Sequence, residues 1–520
     1  MFLDDRHLTR RRLLAGASFV LGLGLLPAAA AKKTAKSRDR ADEPSSGTAL
    51  PIPALVDLTP GTPYELVAQP ALHAFRRDLP VDVVGYGGTY MGPVLRMRRG
   101  DTVAVRVVNR LARPTNVHWH GLLVEGHVDG GTSPILEPGA SWEASLAVDQ
   151  PAATLWYHAH VHGSTTQDVH DGLAGMLIVE DGVAQTLGLP STWGVDDLPL
   201  ILQDRDFDDM GRPVLPPLTG NLEHGFRGHT PIVNGVADAT ARVPGRRVRL
   251  RLLNASGART HRLVFDDRRP FHLIASDDGY LPAPIELAFL PLAPGERAEI
   301  LVDFASGPAA LLTEPDAHEH RAGGSVALLP DVLEAPARLV AFEPQRDQTN
   351  SHPVPKALVP LPDLPESTLG IPRRRFELRV SPGLTAAGGV AGHDHSGHGA
   401  MAMHAATPSP PPRLTINGRS FDMGRIDEQV KLGTTEIWEI VSPDMAHPFH
   451  LHGAHFRVLS EDGGRPKLWN GGMKDTVQVE NSAELLITFT RKADASAPFV
   501  YHCHLLEHED GGMMGAFTVA

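Results

Sequence analysis

The sequence predicts an all-β protein of three tandem Greek-key sandwiches or small barrels. Three segments share one pattern, an alternation of apolar and polar residues after a glycine turn, at residues 100–109, 245–254 and 433–442. Alternation of this kind indicates a strand with one buried face. Strong helical periodicity is scarce along the chain, and short strands between Gly and Pro turns favour sandwiches or barrels.

The same repeats predict the domain boundaries. A second alternating strand follows each of them, at residues 142–148, 298–304 and 484–489. A repeat of about 150 residues is a repeat of domains, because solenoid repeats are much shorter. We therefore expect domains over residues 48–185, 190–345 and 365–520, a linker over 346–364 and a strand-free loop over 391–412.

The N-terminal segment has the features of an export signal. An arginine triplet precedes an apolar stretch over residues 13–26, which is shorter than the ~20 residues that span a bilayer. Small residues follow, as at a signal-peptidase site. We expect a twin-arginine signal peptide over 1–31, a flexible lead-in over 32–47 and export to the periplasm or elsewhere outside the cytoplasm. No later stretch reaches ~18 uninterrupted apolar residues, so we expect no membrane span.

Charge and cysteine content exclude several classes of protein. The formal net charge is −13 without a basic stripe, which argues against a nucleic-acid partner. The single cysteine excludes an intrachain disulfide framework and any metal site that needs several cysteines. Histidine is the unusual residue, because 27 are present and ten of them stand in four short clusters.

The four clusters lie in the first and third predicted domains. They are His118-Trp119-His120, His158-Ala159-His160, His447-Pro448-Phe449-His450-Leu451-His452, and His502-Cys503-His504 followed by His508. A single His-x-His more often reflects ordinary core or surface histidines, and zinc would use only three or four ligands. Neither ordinary core and surface histidines nor a zinc site accounts for ten histidines in four clusters. We expect a metal centre between the first and third domains, with the middle domain as a spacer.

The donor types favour copper. A thiolate, two imidazoles and a weak thioether form the electron-transfer site of blue copper proteins, and Cys503, His447, His508 and Met513 supply that set. The eight remaining clustered histidines suit a three-copper cluster. Because neighbouring side chains on a strand point to opposite faces, Cys503 can face one site while His502 and His504 face the other.

The four motifs together resemble those of the multicopper oxidases in their three-domain form, over essentially the whole mature chain. Residues 149–154, 172–175 and 502–514 and the signal are similar to the bacterial periplasmic copper efflux oxidases, which are cuprous oxidases. The resemblance implies cupredoxin-like domains and four copper ions. It assigns type 1 to His447, Cys503, His508 and Met513, type 2 to His118 and His450, and the two type 3 ions to His120, His158 and His504 and to His160, His452 and His502.

The resemblance also implies the reaction. Cys503 would pass single electrons from Cu(I) or a small phenolic or aromatic reductant, and O2 would be reduced to two waters, in the service of copper tolerance. Asp129 and Glu509 match the positions that deliver protons in the family, a task that suits carboxylates in a dry site. Glu507 is the alternative to Glu509.

A substrate-copper site is only half present in the sequence. Asp444 and Met445 match part of the efflux oxidases' site, but residues 379–383 contain neither Met nor Asp. The insert is short and rich in histidine rather than methionine, which leaves room for a laccase-like activity. We expect it to capture copper through His393, His395, His398, Met401, Met403 and His404, because thioethers suit Cu(I) and imidazoles suit both copper states.

Two alternatives remain open. The first is an exported copper-binding or structural cupredoxin protein without oxidase turnover, because some relatives in the family have lost their copper ligands. The second is a copper nitrite reductase, but that pattern has no set of ten histidines. We expect a monomer, because three fused domains can form an interdomain site within one chain.

Overall fold

The computed structural model describes residues 47–76, 79–218, 222–322, 325–345, 352–381 and 413–520. Strands are the main regular structure of these residues, and they form sheets in three sets that follow one another along the chain. The expected signal peptide and nearly all of the lead-in, the start of the linker and the loop over 391–412 lie outside the described residues. Among the helices described here, none has the length and apolar character needed to cross a membrane.

The first set forms a sandwich of two four-stranded sheets, β2-β5-β9-β8 and β4-β3-β6-β7. In β6, Val103, Val105 and Val107 are buried and their neighbours are more exposed, as the alternation predicts. The elements of this part of the chain are β1 (Thr48–Ala49), β2 (Leu55–Asp57), β3 (Tyr64–His73), β4 (Val81–Tyr86), β5 (Val94–Arg98), β6 (Thr102–Asn109), α1 (Gly126–Asp129), β7 (Ser141–Ala147), β8 (Ala153–His158), α2 (Thr165–Asp171) and β9 (Ala174–Glu180).

The middle set has two larger sheets and a separate hairpin. The sheets run β1-β13-β23-β20-β15-β18 and β11-β10-β14-β19-β16-β17, with β12 paired to β10. Its elements are α3 (Val183–Thr186), β10 (Asp197–Phe207), β11 (Pro213–Val214), β12 (Thr230–Val233), β13 (Ala239–Pro244), β14 (Arg247–Asn254), β15 (His261–Phe265), β16 (Phe271–Ser276), β17 (Gly279–Leu287), β18 (Leu290–Leu292), β19 (Arg297–Asp303), β20 (Ala309–Glu314), the hairpin strands β21 (His318–Ala322) and β22 (Ser325–Leu329), and β23 (Ala337–Gln345).

Two features of the middle set differ from simple expectations. Strand β1 pairs in parallel with β13, so the first strand of the described chain joins the middle sheet. Strand β14 is buried on both faces rather than one, so the expectation of a half-buried strand is wrong there. The reason is that Arg249 and Arg251 are buried against Glu299 and Asp197. The domain bounds themselves stay a prediction.

The third set is again a sandwich, with sheets β25-β24-β27-β32-β29-β30 and β26-β34-β33-β28-β31. Trp438 and Phe517, one from each sheet, are fully buried in its core, and burial of each large apolar side chain is worth about 1.5–3 kcal/mol. Its elements are β24 (Arg373–Ser381), β25 (Arg413–Ile416), β26 (Glu428–Val430), β27 (Thr435–Val441), β28 (His447–Leu451), β29 (Phe456–Glu461), a 3₁₀ turn (Leu468–Asn470), β30 (Met473–Lys474), β31 (Thr476–Val479), β32 (Ser482–Thr488), β33 (Phe499–Cys503), α4 (Leu506–Asp510) and β34 (Met514–Val519).

Strand ends bring the histidine motifs together. In the third set, β28 and β33 are antiparallel neighbours, and His450 faces His502 in their register. In the first set, His118 forms an isolated bridge with His158 at the end of β8. In each set, strand or bridge pairing therefore brings two histidine clusters side by side.

Candidate metal centres

Cys503, His447, His508 and Met513 are buried together, and they are called the thiolate pocket here. The Cys503 sulfur lies 3.4 Å from His447 Nδ1 and 3.5 Å from His508 Nδ1, and these two nitrogens are 3.3 Å apart. The Met513 N–H donates to the His508 carbonyl and the Met513 carbonyl accepts from the Cys503 N–H, which closes the loop. One thiol and two imidazoles thus face one point.

The turn after β33 builds this pocket. The Leu505 N–H donates to the Cys503 sulfur at 3.5 Å, and α4 then returns His508 to the same sulfur. Burial raises the pKa of the Cys503 thiol well above its usual value. A bare thiolate is therefore disfavoured here, and a bound cation would stabilise it.

Each imidazole of the thiolate pocket has a further contact at Nε2, the ring nitrogen that does not face the sulfur. His508 Nε2–H donates to the Glu223 carbonyl, at 3.3 Å, and His447 Nε2 lies 3.3 Å from Asp444 Oδ1. With Nε2 engaged in this way, Nδ1 of both rings points at the sulfur. Such contacts fix the tautomer and the orientation of metal-binding histidines.

The other eight motif histidines form a second buried group, which is called the histidine cluster here. Its members, all at most 1% exposed, are His118, His120, His158, His160, His450, His452, His502 and His504. His118 stacks on His452 and His120 stacks on His450, each with ring centroids 3.7 Å apart. First-set and third-set imidazoles are therefore interleaved in one cluster.

Most rings of the cluster are held by one nitrogen and leave the other open. Three donate from Nδ1 to backbone carbonyls: His118 to Asp129 (3.0 Å), His158 to Ala159 (2.9 Å) and His450 to Asp475 (2.9 Å). Their Nε2 atoms make no hydrogen bond within the described part of the chain. His120 has the opposite arrangement, with Nε2 3.0 Å from Asp475 Oδ1 and Nδ1 open. Unpaired buried nitrogens of this kind are costly unless they bind something.

Burial favours the neutral form of several imidazoles in the cluster. Burial lowers the pKa of six of its imidazoles well below the usual value, those of His120, His158, His160, His452, His502 and His504. Neutral imidazole is the form that binds metal ions.

The geometry groups the imidazoles in threes. Ligand atoms lie within 4.8 Å of one another in His118, His120 and His158, in His118, His450 and His452, and in His160, His452 and His502. The last trio is one of the two sets that the family resemblance assigned to a type 3 ion. For the other expected set, the His504 ring lies 5.1 Å from that of His120 and 5.7 Å from that of His158.

Both expected proton carriers contact the cluster. Asp129 Oδ2 is 2.9 Å from His452 Nδ1, and Glu509 Oε2 is 3.4 Å from His502 Nδ1. The Thr165 hydroxyl donates to Glu509 Oε1 at 2.7 Å. Burial, with a smaller contribution from Asp510, raises the pKa of Glu509 well above its usual value, which favours the protonated form of this carboxyl.

The alternative carboxylate is placed elsewhere. Glu507 Oε1 accepts a hydrogen bond from the Phe226 N–H, and the side chain faces the middle set of strands. Burial raises its pKa to about 7. The contacts to His160 and His502 belong to Glu509.

The residues expected to bind substrate copper divide into two groups. Asp444 is turned inward, because its carboxylate accepts from the N–H groups of Val380 and Met445 and contacts His447. Met445 is buried beside it. His393, His395, His398, Met401, Met403 and His404 lie outside the described residues.

Sequence reasoning missed a buried charge network around the histidine cluster. Arg297, on β19 of the middle set, donates to both carboxylate oxygens of Asp475, at 2.7 and 2.5 Å. Asp475 in turn contacts His120. Burial acts to raise the pKa of Asp475, but Arg297 and His120 hold it well below its usual value. The available signal was the charged pair Glu296-Arg297 at the start of strand β19.

The middle set also approaches the cluster through its backbone. Gly295 has a φ of +84°, and a Cβ there would lie 2.9 Å from Cδ2 of His504. Only glycine meets both conditions without strain. The expectation that the middle domain is only a spacer is therefore wrong.

Comparisons with known proteins agree with this arrangement. Two family models described as multicopper oxidase match residues 70–183 and 394–520. A solved laccase-like multicopper oxidase, CueO from Ochrobactrum sp., is 35% identical, with a TM-score of 0.77 over 91% of this chain and 100% of that one. A laccase from Pediococcus acidilactici is 29% identical, with a TM-score of 0.76 over 92% and 94%. The chain belongs to the multicopper oxidase family, which confirms the resemblance and the all-β, cupredoxin-like fold.

Curated relatives carry a different name. Cell division protein FtsP of Xenorhabdus nematophila is 35% identical over 517 residues, and these cover 98% of each chain. FtsP of Dickeya dadantii is 36% identical over 506 residues, which cover 97% of each. This chain is similar to both the oxidases and the FtsP proteins.

Proposed function

We propose that this protein is a laccase-like oxidase that takes single electrons from a small reductant and uses four of them to reduce O2 to two waters. The reductant is Cu(I) or a small phenolic or aromatic molecule. One observation carries the proposal: both donor groups are complete, buried and preorganised, with three ligand atoms converging in the thiolate pocket and eight imidazoles in the histidine cluster.

The donors fit four copper ions. A thiol with two imidazoles suits one ion in the thiolate pocket, and eight imidazoles suit three ions in the cluster. The buried nitrogens of the cluster that lack a hydrogen-bond partner among the described residues support the same assignment. When bound, copper supplies the one-electron chemistry that these side chains lack.

Strand β33 links the two centres. Cys503 faces the thiolate pocket, where its sulfur lies near His447, while His502 faces the cluster, where its Nε2 lies 3.2 Å from that of His452. Alternation along the strand produces both orientations. A covalent path of one residue therefore joins the site of electron entry to the site of O2 reduction.

Two carboxyl groups supply protons in this proposal. Reduction of one O2 to two waters consumes four electrons and four protons. Glu509 is buried, its pKa is raised, and it lies within 3.5 Å of His160 and His502. Asp129, the last residue of α1, contacts His452 and His118. General acid catalysis by positioned carboxyls contributes about 10²–10⁴ in rate.

A structural role in the cell envelope is the second candidate, because the curated relatives are named as cell division proteins. A purely structural role gives no reason to bury ten histidines. The test is to load purified protein with copper and to measure its copper content and its O2 uptake with a phenol and with Cu(I), using Cys503→Ser as the control. About four copper ions per chain with Cys503-dependent uptake supports the oxidase, and fully loaded protein without uptake supports the structural role.

We further propose export by the twin-arginine route, a monomeric state and a contribution to copper tolerance. The arginine triplet and apolar stretch support the first, and the ligand set contained in one chain supports the second. Replacing the arginine triplet with lysines in cells and locating the protein by fractionation tests the export route. A copper-sensitivity assay of a deletion strain tests the role in tolerance.

A further inference from the structure

A cavity of about 410 Å³ is lined by residues from all three strand sets, and it is called the linker cavity here because residues 359–364 of the expected linker form one wall. Other apolar lining comes from Leu123 in the first set and from Met473 and Leu486 in the third. Among these described lining residues, none belongs to the thiolate pocket. Sites for small molecules have volumes of about 300–1,000 Å³ and combine a mostly apolar lining with a few fixed polar groups.

The linker wall is held in place from two sides. The Val359 N–H donates to the Leu281 carbonyl at 3.1 Å, which attaches the linker to β17. The Arg457 guanidinium donates to the Pro362 carbonyl at 3.3 Å, which attaches the linker to β29. The cavity is therefore bounded by hydrogen-bonded backbone, and a ligand would enter a site that is already formed.

One buried carboxyl group lines the cavity with an unsatisfied oxygen. Asp278 is only 2% exposed, and its Oδ1 lies 3.2 Å from His455 Nε2 and 3.4 Å from a guanidinium nitrogen of Arg297. Within the described part of the chain, Asp278 Oδ2 has no hydrogen-bond partner. A buried acceptor without a partner is costly, and a ligand N–H group would remove that cost.

A second polar side chain of the cavity, His455, also presents an acceptor. This side chain is 8% exposed, and its Nε2 lies 2.9 Å from the Gly121 carbonyl. Because a carbonyl only accepts, Nε2 carries the proton and Nδ1 is left with its lone pair. Burial lowers the pKa of His455 to about 4, which favours this neutral form. Asp278 and His455 therefore both fit a ligand that donates hydrogen bonds.

The charge of the lining favours a cation. Three carboxyl groups line the cavity, those of Asp181, Asp278 and Asp363, against one guanidinium group, that of Arg457. Burial, with a smaller contribution from Asp475, raises the pKa of Asp278 well above its usual value. A carboxylate here is therefore costly on its own, and a bound cation would stabilise it.

We propose that the linker cavity is a binding site for a small organic ammonium ion with an apolar body. The ammonium N–H groups donate to Asp278 Oδ2 and His455 Nδ1, and the apolar body packs against Leu123, Met473 and Leu486. The site is separate from the thiolate pocket, so its ligand is not an electron donor. The proposal therefore goes beyond the proposed oxidase function and does not depend on turnover.

Binding is measured by titration calorimetry on copper-loaded protein with 2-cyclohexylethylamine, a saturated amine that has no aromatic ring to oxidise. The matched probe is 3-cyclohexylpropionate, which has a similar size and the opposite charge. We expect one amine bound per chain, and binding of the acid weaker by about 10-fold or more. Asp278→Asn keeps the size of the side chain and removes its charge, and it should weaken amine binding by about 10-fold or more.

A second variant blocks the cavity without altering its buried charges. Thr490 is exposed and lines the cavity, so the bulky side chain of Thr490→Trp occupies part of the site and amine binding should be lost. Thr102→Trp is the matched control, because Thr102 is an exposed threonine on β6 outside the cavity. We expect this control to bind the amine as tightly as the unaltered protein does.

The same titrations contain the results that would overturn the site. An amine that binds directly to copper would bind Asp278→Asn and Thr490→Trp as tightly as the unaltered protein, and that outcome would refute the proposal. Equal affinity for the amine and the acid would refute it as well. If Asp278→Asn does not fold, the comparison of Thr490→Trp with Thr102→Trp decides alone.

Discussion

The outer strand sets and the middle set use the same alternating strands for different purposes. The first and third sets bury histidines, several of which have a ring nitrogen without a hydrogen-bond partner among the described residues. The middle set instead pairs its buried charges with one another. Arg249 and Arg251 on β14 share Glu299, and Arg251 also engages Asp197. Open nitrogens need an added ion, whereas paired charges are satisfied by the protein itself.

The comparison also shows how the two regions cooperate. Arg297 extends the charge network of the middle set to Asp475, and Asp475 holds His120 in the histidine cluster. Through Arg297 and Asp475, the middle set therefore holds one side of the histidine cluster, whose imidazoles all come from the first and third sets. Substitutions in either region test this difference in roles.

The largest effect is expected from Cys503→Ser. The substitution removes the thiol of the thiolate pocket and leaves the eight imidazoles of the cluster. We expect loss of the blue colour of the copper-loaded protein, because a copper–thiolate bond has an intense visible absorption, and loss of oxidase activity. Visible absorption and O2 uptake measure both. A Cys503→Ser protein that stays blue and active would refute the assignment of the pocket.

The proton carriers come next. Asp129→Asn and Glu509→Gln keep the size of each side chain but remove its titratable proton. We expect reoxidation by O2 to slow by about 10²–10⁴, with reduction of the thiolate pocket little changed. Stopped-flow measurements of the two half-reactions separate these steps. Unchanged reoxidation in both variants would remove the proton-delivery role.

The buried ion pair between Arg297 of the middle set and Asp475 predicts an effect on stability. Arg297→Met leaves Asp475 buried without its main partner, and breaking a buried ion pair in this way costs about 3–5 kcal/mol. Denaturant unfolding of the copper-free protein measures the loss. The matched control is Arg373→Met, whose partner Glu484 is 35% exposed, and surface pairs are worth only about 0–1 kcal/mol. An equal loss of unfolding free energy in the two variants would contradict a stabilising role of the Arg297–Asp475 pair.

The smallest effect is expected behind the thiolate pocket. Asp444→Asn retains a side-chain carbonyl but removes the negative charge beside His447 Nε2. Outer partners of metal-binding histidines typically contribute 10–100-fold in affinity or activity. We expect weaker copper retention in the pocket, measured by competition with a chelator, while the histidine cluster keeps its copper. Uniform loss from both centres would indicate general destabilisation instead.

The sequence revealed the parts of the site that are local in the chain. His502, Cys503 and His504 are neighbours, so their alternation on a strand was predictable, and the all-β fold followed from similar short-range patterns. Arg297 and Asp475 are 178 positions apart, and nothing local to either indicates the other. The contact of the Glu223 carbonyl with His508 involves backbone, which no side-chain pattern encodes.

In the proposed function, two separated metal centres convert single-electron donation into four-electron reduction of O2. The most direct measurement is the stoichiometry of turnover, with reductant oxidised and O2 consumed recorded together on copper-loaded protein and hydrogen peroxide assayed at the end. We expect four one-electron oxidations for each O2 and no accumulated peroxide. Two oxidations for each O2 with peroxide released, or no O2 consumption by protein that holds its full copper content, would contradict it.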